Sequence, residues 1–365
     1  MPQGYSELQG PGLVVSARPG NQAASGTAKQ QTQTTGADSD KVLLMIRYLS
    51  TLLVIPCCLL AQGNGDELRH RETANRLAGT QWAAAARYFC SSEEEVAATL
   101  PSATVKDVVG QYEEPTRLFD NLYFIGTKGV ATFALTTPEG IILIDAGYPD
   151  QVETTLIAGM KKVGLNPADI KYAIITHGHV DHYGGAWFLQ EHYGTHVALS
   201  AVDWDLIAPK PGKKAEDTPP RRDVVAVEGK PIVLGGTEVI PVMTPGHTPG
   251  SMGLIFPVKE GGVTHMAGLF GSQILSAGKR VPVETFREYV RSINHFAEIS
   301  RERKVDVELQ NHPLMDDLFV RMAALRSRKP GEPNPMVVGA AAYGNYLNVM
   351  SECMEAHISQ REVKQ

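Results

Sequence analysis

The chain has 365 residues, of which 43% are hydrophobic and 20% charged, enough apolar content for a substantial core in one large domain with extensions or in two ordinary ones. A net charge of -6 at pH 7 and a pI near 6.0 exclude a general attraction to nucleic acid or to anionic membrane, and basic clusters such as Arg221-Arg222 are too short to create one locally. No internal repeat divides the chain.

Residues 1–44 are rich in Gly, Ser, Thr, Gln and Ala and carry too few bulky apolar side chains to fold alone, so they are expected to be a disordered extension. Residues 45–63 then run from Met45 and the basic Arg47 through an apolar stretch to Ala61, Gln62 and Gly63. That is the layout of a secretory signal peptide, and the stretch is short for a membrane span of about 20 residues. Its position implies that translation starts at Met45; the alternative is a signal anchor preceded by a cytosolic tail. The expected location is secreted or periplasmic, with no stable membrane association once the signal is cleaved. Cleavage near Ala61 removes Cys57 and Cys58 and leaves Cys90 and Cys353. These two could form one disulfide joining an N-terminal helix to a C-terminal one, or remain as two buried thiols.

Residues 64–115 form an N-terminal segment that is helical in composition from 66 to 100. From residue 116 to 325 the pattern becomes that of a mixed domain. Short β-rich runs at 122–125, 132–136 and 141–145, with Pro138, Glu139 and Gly140 as a turn, precede a helix at 151–163. A buried strand at 172–176 leads into a histidine-rich loop, and a helix opens at Gly184 and Gly185 and runs to Tyr193. Further strands are predicted at 196–200, 239–243, 252–256 and 263–267, then a long helix at 284–303 and a strand at 305–309. The 326–365 region is a linker interrupted by prolines, followed by a helix at 340–358 that packs back on the domain. Interspersed strands and helices imply a layered α/β fold.

The loop after the buried strand reads His177-Gly178-His179-Val180-Asp181-His182, four metal-capable side chains within six residues. Alternation sets His177 and His179 on one side, while Asp181 and His182 can turn toward a second position, so two ions are plausible. A structural role alone would place unpaired imidazoles and a carboxylate together at high cost without an ion. His192, His196, His265 and His295 lie in no multi-ligand cluster and read as ordinary histidines; Tyr183 reads as a packing residue.

This spacing resembles the HxHxDH signature of the metallo-β-lactamase superfamily, and the resemblance extends over about residues 121–318. Ile141 to Asp145, followed by Ala146 and Gly147, is similar to the family's first motif. Thr244-Pro245-Gly246-His247 resembles the segment supplying a third histidine, and Gln310-Asn311-His312 the last ligand position. The resemblance implies a four-layer αββα sandwich with the metals at one edge between two sheets. It implies two zinc ions, one on His177, His179 and His247 and the other on Asp181, His182 and His312. Asp145, Thr176 and Ser251 would support the ligands from behind. No Asp or Glu lies in residues 261–283 and no Cys between Cys90 and Cys353, which excludes a bridging carboxylate there and a cysteine ligand. The remaining pattern is similar to the di-zinc β-lactamase subclass with five His and one Asp ligands.

On that resemblance the protein is a zinc-dependent hydrolase in which a hydroxide shared by the metals attacks a strained amide carbonyl, as in β-lactam hydrolysis and hence antibiotic resistance. Asp181 would orient the hydroxide and carry its proton, and Ser272 and Gln273 would bind the substrate. The alternatives are a lactone or thioester hydrolase on the same fold and a non-catalytic metal-binding module. The partner is a small-molecule substrate, a monomer is expected, and nucleic acid is not, since only about 64 residues separate His182 from His247.

Overall fold

Ile141, Ile142, Leu143 and Ile144 are all buried, yet successive side chains of this one strand enter different cores. Ile142 and Ile144 join Phe124, Phe133, Leu254 and Phe256. Ile141 and Leu143 join Leu156, Met160, Leu189 and Trp204. A strand buried on both faces belongs inside a layered sheet, and fully burying one such side chain contributes roughly 1.5–3 kcal/mol.

The computed structural model describes residues 54–91, 111–208, 218–271 and 281–363, with side chains from Asp66 onward in the first segment. The 1–44 extension, the first part of the apolar stretch, and Ser272 and Gln273 lie outside the described residues.

Among the described residues, twelve strands form two sheets. The first, in order β1 to β7, comprises Thr116–Phe119, Leu122–Gly126, Ala131–Thr137, Gly140–Ile144, Ile170–Ile174, His196–Ser200 and Val224–Ala226. Strands β1 to β4 are antiparallel neighbours, whereas β4 to β7 run parallel. The second sheet contains β8 (Ile232–Leu234), β9 (Thr237–Met243), β10 (Met252–Glu260), β11 (Val263–Leu269) and β12 (Val307–Leu309), with only the β11–β12 pair parallel. The described α-helices are α1 (Val54–Ala78), α2 (Ala83–Cys90), α3 (Ala158–Lys162), α4 (Val180–Tyr183), α5 (Ala186–Tyr193), α6 (Ala201–Ile207), α7 (Val283–Glu302), α8 (Leu318–Ser327) and α9 (Ala340–Glu362).

Three hydrophobic clusters separate four layers. One lies between the sheets. A second packs the outer face of the first sheet on the helical segments containing Leu156, Leu189 and Trp204. The third packs Ile240, Val242 and Ile255 of the second sheet on α7, α9, α1 and α2 through Phe286, Tyr289, Phe296, Tyr346, Met350, Ala74 and Phe89. This is the αββα arrangement expected from the sequence. Cys90 at the end of α2 is disulfide-bonded to Cys353 of α9 across 263 residues of sequence, so the pairing left open by the sequence is made. No helix among the described residues is long and apolar enough to cross a membrane.

Some elements differ from the sequence reading. The predicted helix at 151–163 begins as a π-helical turn, Val152–Ile157, before α3. Helix α1 begins at Val54, ahead of the helical composition read from residue 66, and ends at Ala78. Strands β1, β7 and β8 and helix α6 were not anticipated; β7 and β8 have three residues each and lie at sheet edges. So short a run holds too little period-two signal, and its structure is set by the neighbouring strand's free backbone groups.

Parallel pairing aligns the carboxyl ends of β4, β5 and β6 on one edge, the place where open α/β sheets present their loops to ligands. There Asp145 donates its backbone N–H to Ile174 O (2.9 Å), and Met252 N to Thr176 O (2.9 Å), joining the two sheets beside the histidine loop.

Candidate metal centre

The loop leaving β5 brings together the first four candidate ligands. His177 is buried at its floor and His179 exposed at its mouth, while Asp181 and His182 fall on the short helix α4, half-buried and buried respectively. The β9–β10 connection delivers His247 and the end of β12 delivers His312. Ligand atoms of His177, His179 and His247 lie within 4.8 Å of one another, as do those of Asp181, His182 and His312. The ring centroids of His177 and His182 are 4.0 Å apart, so the two groups adjoin.

Hydrogen bonds from behind settle which ring nitrogen faces inward. His312 Nδ1 donates to Gly129 O at 2.8 Å, leaving Nε2 with its lone pair 3.1 Å from His182 Nε2. Asp145 Oδ2 accepts from His182 Nδ1 at 2.8 Å. Thr176 Oγ1 gives its one proton to Asp145 (3.0 Å) and so accepts from His177 Nδ1 (3.1 Å). That leaves His177 Nε2 as a lone-pair acceptor, and it is buried without a hydrogen-bond partner. His179 Nδ1 and His247 Nε2 face each other at 2.9 Å. Such carboxylate or carbonyl backing is what metal-ligating histidines normally show.

Electrostatics point the same way. Burial, then the neighbouring imidazoles, holds His177 and His247 well below the ordinary histidine range, so both are neutral donors at pH 7. Burial and His182 together bring His312 down to about 4. Burial opposes charge on His182, but Asp181 and Asp145 outweigh it and push the imidazole up to about 10. Burial would raise Asp181, yet His182 holds it well below the usual carboxylate range. This corner is built to surround positive charge. Imidazoles with one carboxylate, with no sulfur donor, suit Zn²⁺.

Two supports of the loops, Asp203 and Asn311, were not read from the sequence in that role; Ser251 was. Asp203, buried on α6, accepts from Gly178 N (2.7 Å), Thr248 Oγ1 (2.6 Å) and Gly250 N (2.9 Å), and so ties the His177 loop to the His247 loop. Ser251 Oγ, in turn, lies 2.7 Å from Thr248 Oγ1 and accepts from Thr248 N. A Cβ at Gly178 would stand 2.9 Å from Ile207 Cγ2 and 3.2 Å from Leu206 Cδ2, so a larger residue there would push those side chains of α6 aside. The available signal was Ser200 three residues before Asp203, a helix-capping spacing; Ser200 Oγ accepts from Asp203 N. Asn311 Nδ2 bonds Thr176 Oγ1 at 3.0 Å and bridges β12 to β5.

The remaining sequence candidates separate clearly. Asp145 touches no group member except His182 and serves as a junction: it also accepts from Thr176 N at 2.8 Å. His196, His265 and His295 pair with Asp223, Asp306 and Glu228 away from the centre. Tyr183 is buried in the cluster beneath the first sheet. Tyr148, missed by the sequence reading, is half-buried and lines an opening of about 270 Å³ with Val130, Ala146 and Gln151. Burial, then the charges of Asp181 and Asp150, pushes its phenol up to about 12, so it stays a donor.

Comparison with known proteins agrees with this geometry. The metallo-beta-lactamase superfamily profile matches residues 125–261. N-acyl homoserine lactonase of Bacillus cereus is 25% identical over 153 residues, 36% of this chain and 59% of that protein. The chain thus spans less than two thirds of that relative. Hydroxyacylglutathione hydrolase of Acidiphilium cryptum is 32% identical over 99 residues, 27% of this chain and 36% of that protein. Among solved structures, a subclass B3 metallo-beta-lactamase of Bradyrhizobium japonicum superposes with a TM-score of 0.58 at 26% identity, covering 72% of this chain and 99% of that one. The native enzyme of Legionella gormanii gives 0.57 at 25% identity, covering 69% and 98%.

Proposed function

We propose that this chain, which carries a metallo-beta-lactamase superfamily domain, is a di-zinc hydrolase that cleaves a cyclic amide of the β-lactam type. The observation that carries the reading is the convergence of six donors in two adjoining groups, with the buried His177 Nε2 left without a protein partner. His177, His179 and His247 hold one ion; Asp181, His182 and His312 hold the other. Zinc bound there would supply a water of lowered pKa and a Lewis acid for a substrate carbonyl. Asp181, half-buried beside both groups, orients that water and accepts its proton on a carboxylate oxygen. Thr176, Asp145, Gly129 O and Asp203 hold the imidazoles and their loops still, so that geometry need not be reorganised during the reaction. We assign substrate contact to Ser272 and Gln273 from the sequence resemblance alone.

The β-lactam reading draws on the similarity to the subclass B3 metallo-beta-lactamase of Bradyrhizobium japonicum and the metallo-beta-lactamase of Legionella gormanii over almost their whole length and on the lack of any Asp or Glu in residues 261–283. A second reading, lactone hydrolysis, is favoured by the similarity to N-acyl homoserine lactonases, because attack on a carbonyl serves both chemistries. A panel of β-lactams, lactones and thioesters assayed with zinc-loaded protein decides between them. Turnover of β-lactams above the other classes is expected; turnover confined to lactones or thioesters replaces the first reading, and none at all returns the protein to a metal-binding module.

Export follows the same lines. The Cys90–Cys353 disulfide is a feature of oxidising compartments, and it fits the signal-like residues 45–63. We therefore place the mature protein outside the cytoplasm, as a monomer acting on small molecules. The expected intact mass of protein recovered from the exported fraction lacks the residues before Gln62 and is two hydrogens short of the reduced form. A full-length reduced chain would discard the assignment.

A further inference from the structure

The turn that presents His312 is gripped from behind by a buried cation that the chemistry above does not use. Arg321, on α8, places Nη2 2.6 Å from Glu308 Oε2 and 2.9 Å from Asp316 Oδ2, while Nη1 donates to the Asp316 carbonyl at 2.5 Å. Glu308 is the middle residue of β12, four before His312, and Asp316 follows it by four; both carboxyl groups are fully buried. One guanidinium therefore spans both ends of the turn. The Trp82 ring covers it, 5.5 Å from Arg321 Cζ, and is anchored by Nε1 donating to Ala342 O at 2.8 Å.

For stability alone such a cluster is a poor choice, since desolvating buried charges often costs as much as their attraction returns. What a planar fork offers over a point charge is fixed geometry at two acceptors. Burial and the adjacent Asp316 push the Glu308 carboxyl well above the usual range. From the opposite side, Gly129 O fixes only the rotation of the His312 ring. On that side Ala131 N and Asn311 Nδ2 also hold the residue before His312, while Arg321 holds the turn from behind, at Glu308 and Asp316.

We propose that Arg321 is a positioning residue for His312: its fork across Glu308 and Asp316 sets where that imidazole stands against Asp181 and His182, and so governs cation affinity in this group alone. The inference rests on the reading that the six donors hold two ions.

The test is an equilibrium titration of metal-stripped full-length protein with Zn²⁺ against a chromophoric competitor, for wild type, Arg321→Met, Arg321→Lys and Glu308→Gln. Wild type is expected to take up two equivalents. In Arg321→Met one equivalent should bind within about twofold of wild type and the other at least about tenfold more weakly, the scale seen when groups orienting a ligand are removed. Arg321→Lys keeps the charge and loses the fork, so it should fall between; Glu308→Gln keeps a neutral hydrogen-bonding group and should retain both. Thermal unfolding of the metal-free proteins shows which variants fold, and Arg321→Lys carries the test if Arg321→Met does not. A merely structural role lowers the melting temperature without separating the two equivalents. Equal weakening of both, or an unchanged second equivalent, overturns the inference while the two-ion reading stands. Fewer than two equivalents in wild type overturns that reading and the inference with it.

Discussion

On the proposed function, replacing His177 by alanine is expected to reduce hydrolysis at least about 10³-fold, roughly 4 kcal/mol of transition-state stabilisation, because the site would lose its buried metal ligand. The same change should alter metal-free stability by only about 1 kcal/mol. His177 Nε2 is buried without a partner, so its removal relieves an unmet polar group while opening a cavity, and the two effects oppose. Activity and metal content thus fall while the urea midpoint of the stripped protein hardly moves. Wild-type turnover by the variant would dismiss the proposed chemistry; a collapse in metal-free stability would show that His177 is chiefly a packing residue.

Asp145→Asn should be costly in a different way. Asp145 has a φ of 61°, a left-handed conformation that Asn tolerates as well as Asp, so the backbone is not the issue. Its two oxygens accept from Thr176 N, Thr176 Oγ1, His182 Nδ1 and, at 3.4 Å, Asn311 Nδ2. An amide has one acceptor oxygen, and its NH₂ would confront donors in a fully buried site. A loss of roughly 2–4 kcal/mol is expected. Zinc affinity at the Asp181, His182 and His312 group should also fall about 10–100-fold, since the carboxylate fixes which nitrogen of His182 faces the ion. Urea unfolding and zinc titration measure the two separately. If both are unchanged, Asp145 does no more than end β4.

How much was legible differs by element. The strands at 141–145 and 172–176 announced themselves through dense β-branched runs, and helix 284–303 through its long amphipathic pattern. All three appear, as β4, β5 and α7. The six donors were readable because four sit in one loop and the other two follow strand ends in recognisable short motifs; the structure brings all six together. Asp203 was not readable. It binds backbone amides of two loops distant in sequence, Gly178 and Gly250, and backbone groups carry no residue signature. Arg321 was missed for a related reason: an arginine on a helix normally reads as solvated surface, and its burial depends on Trp82 and α9 closing over it.

The sequence by itself therefore determined the layered α/β architecture and the kind of chemistry available at one sheet edge, because hydrophobic period and clustered ligand types are local properties. Only the tertiary structure decided which nitrogen of His177, His182 and His312 faces inward, that Cys90 meets Cys353, and which buried charges steady the ligand loops. Most of those facts depend on distant partners: His182 and Asp145 are 37 residues apart, His312 and Gly129 183, and the two cysteines 263. Their contacts exist only after the two sheets have packed and excluded water from the groups that must then find one another.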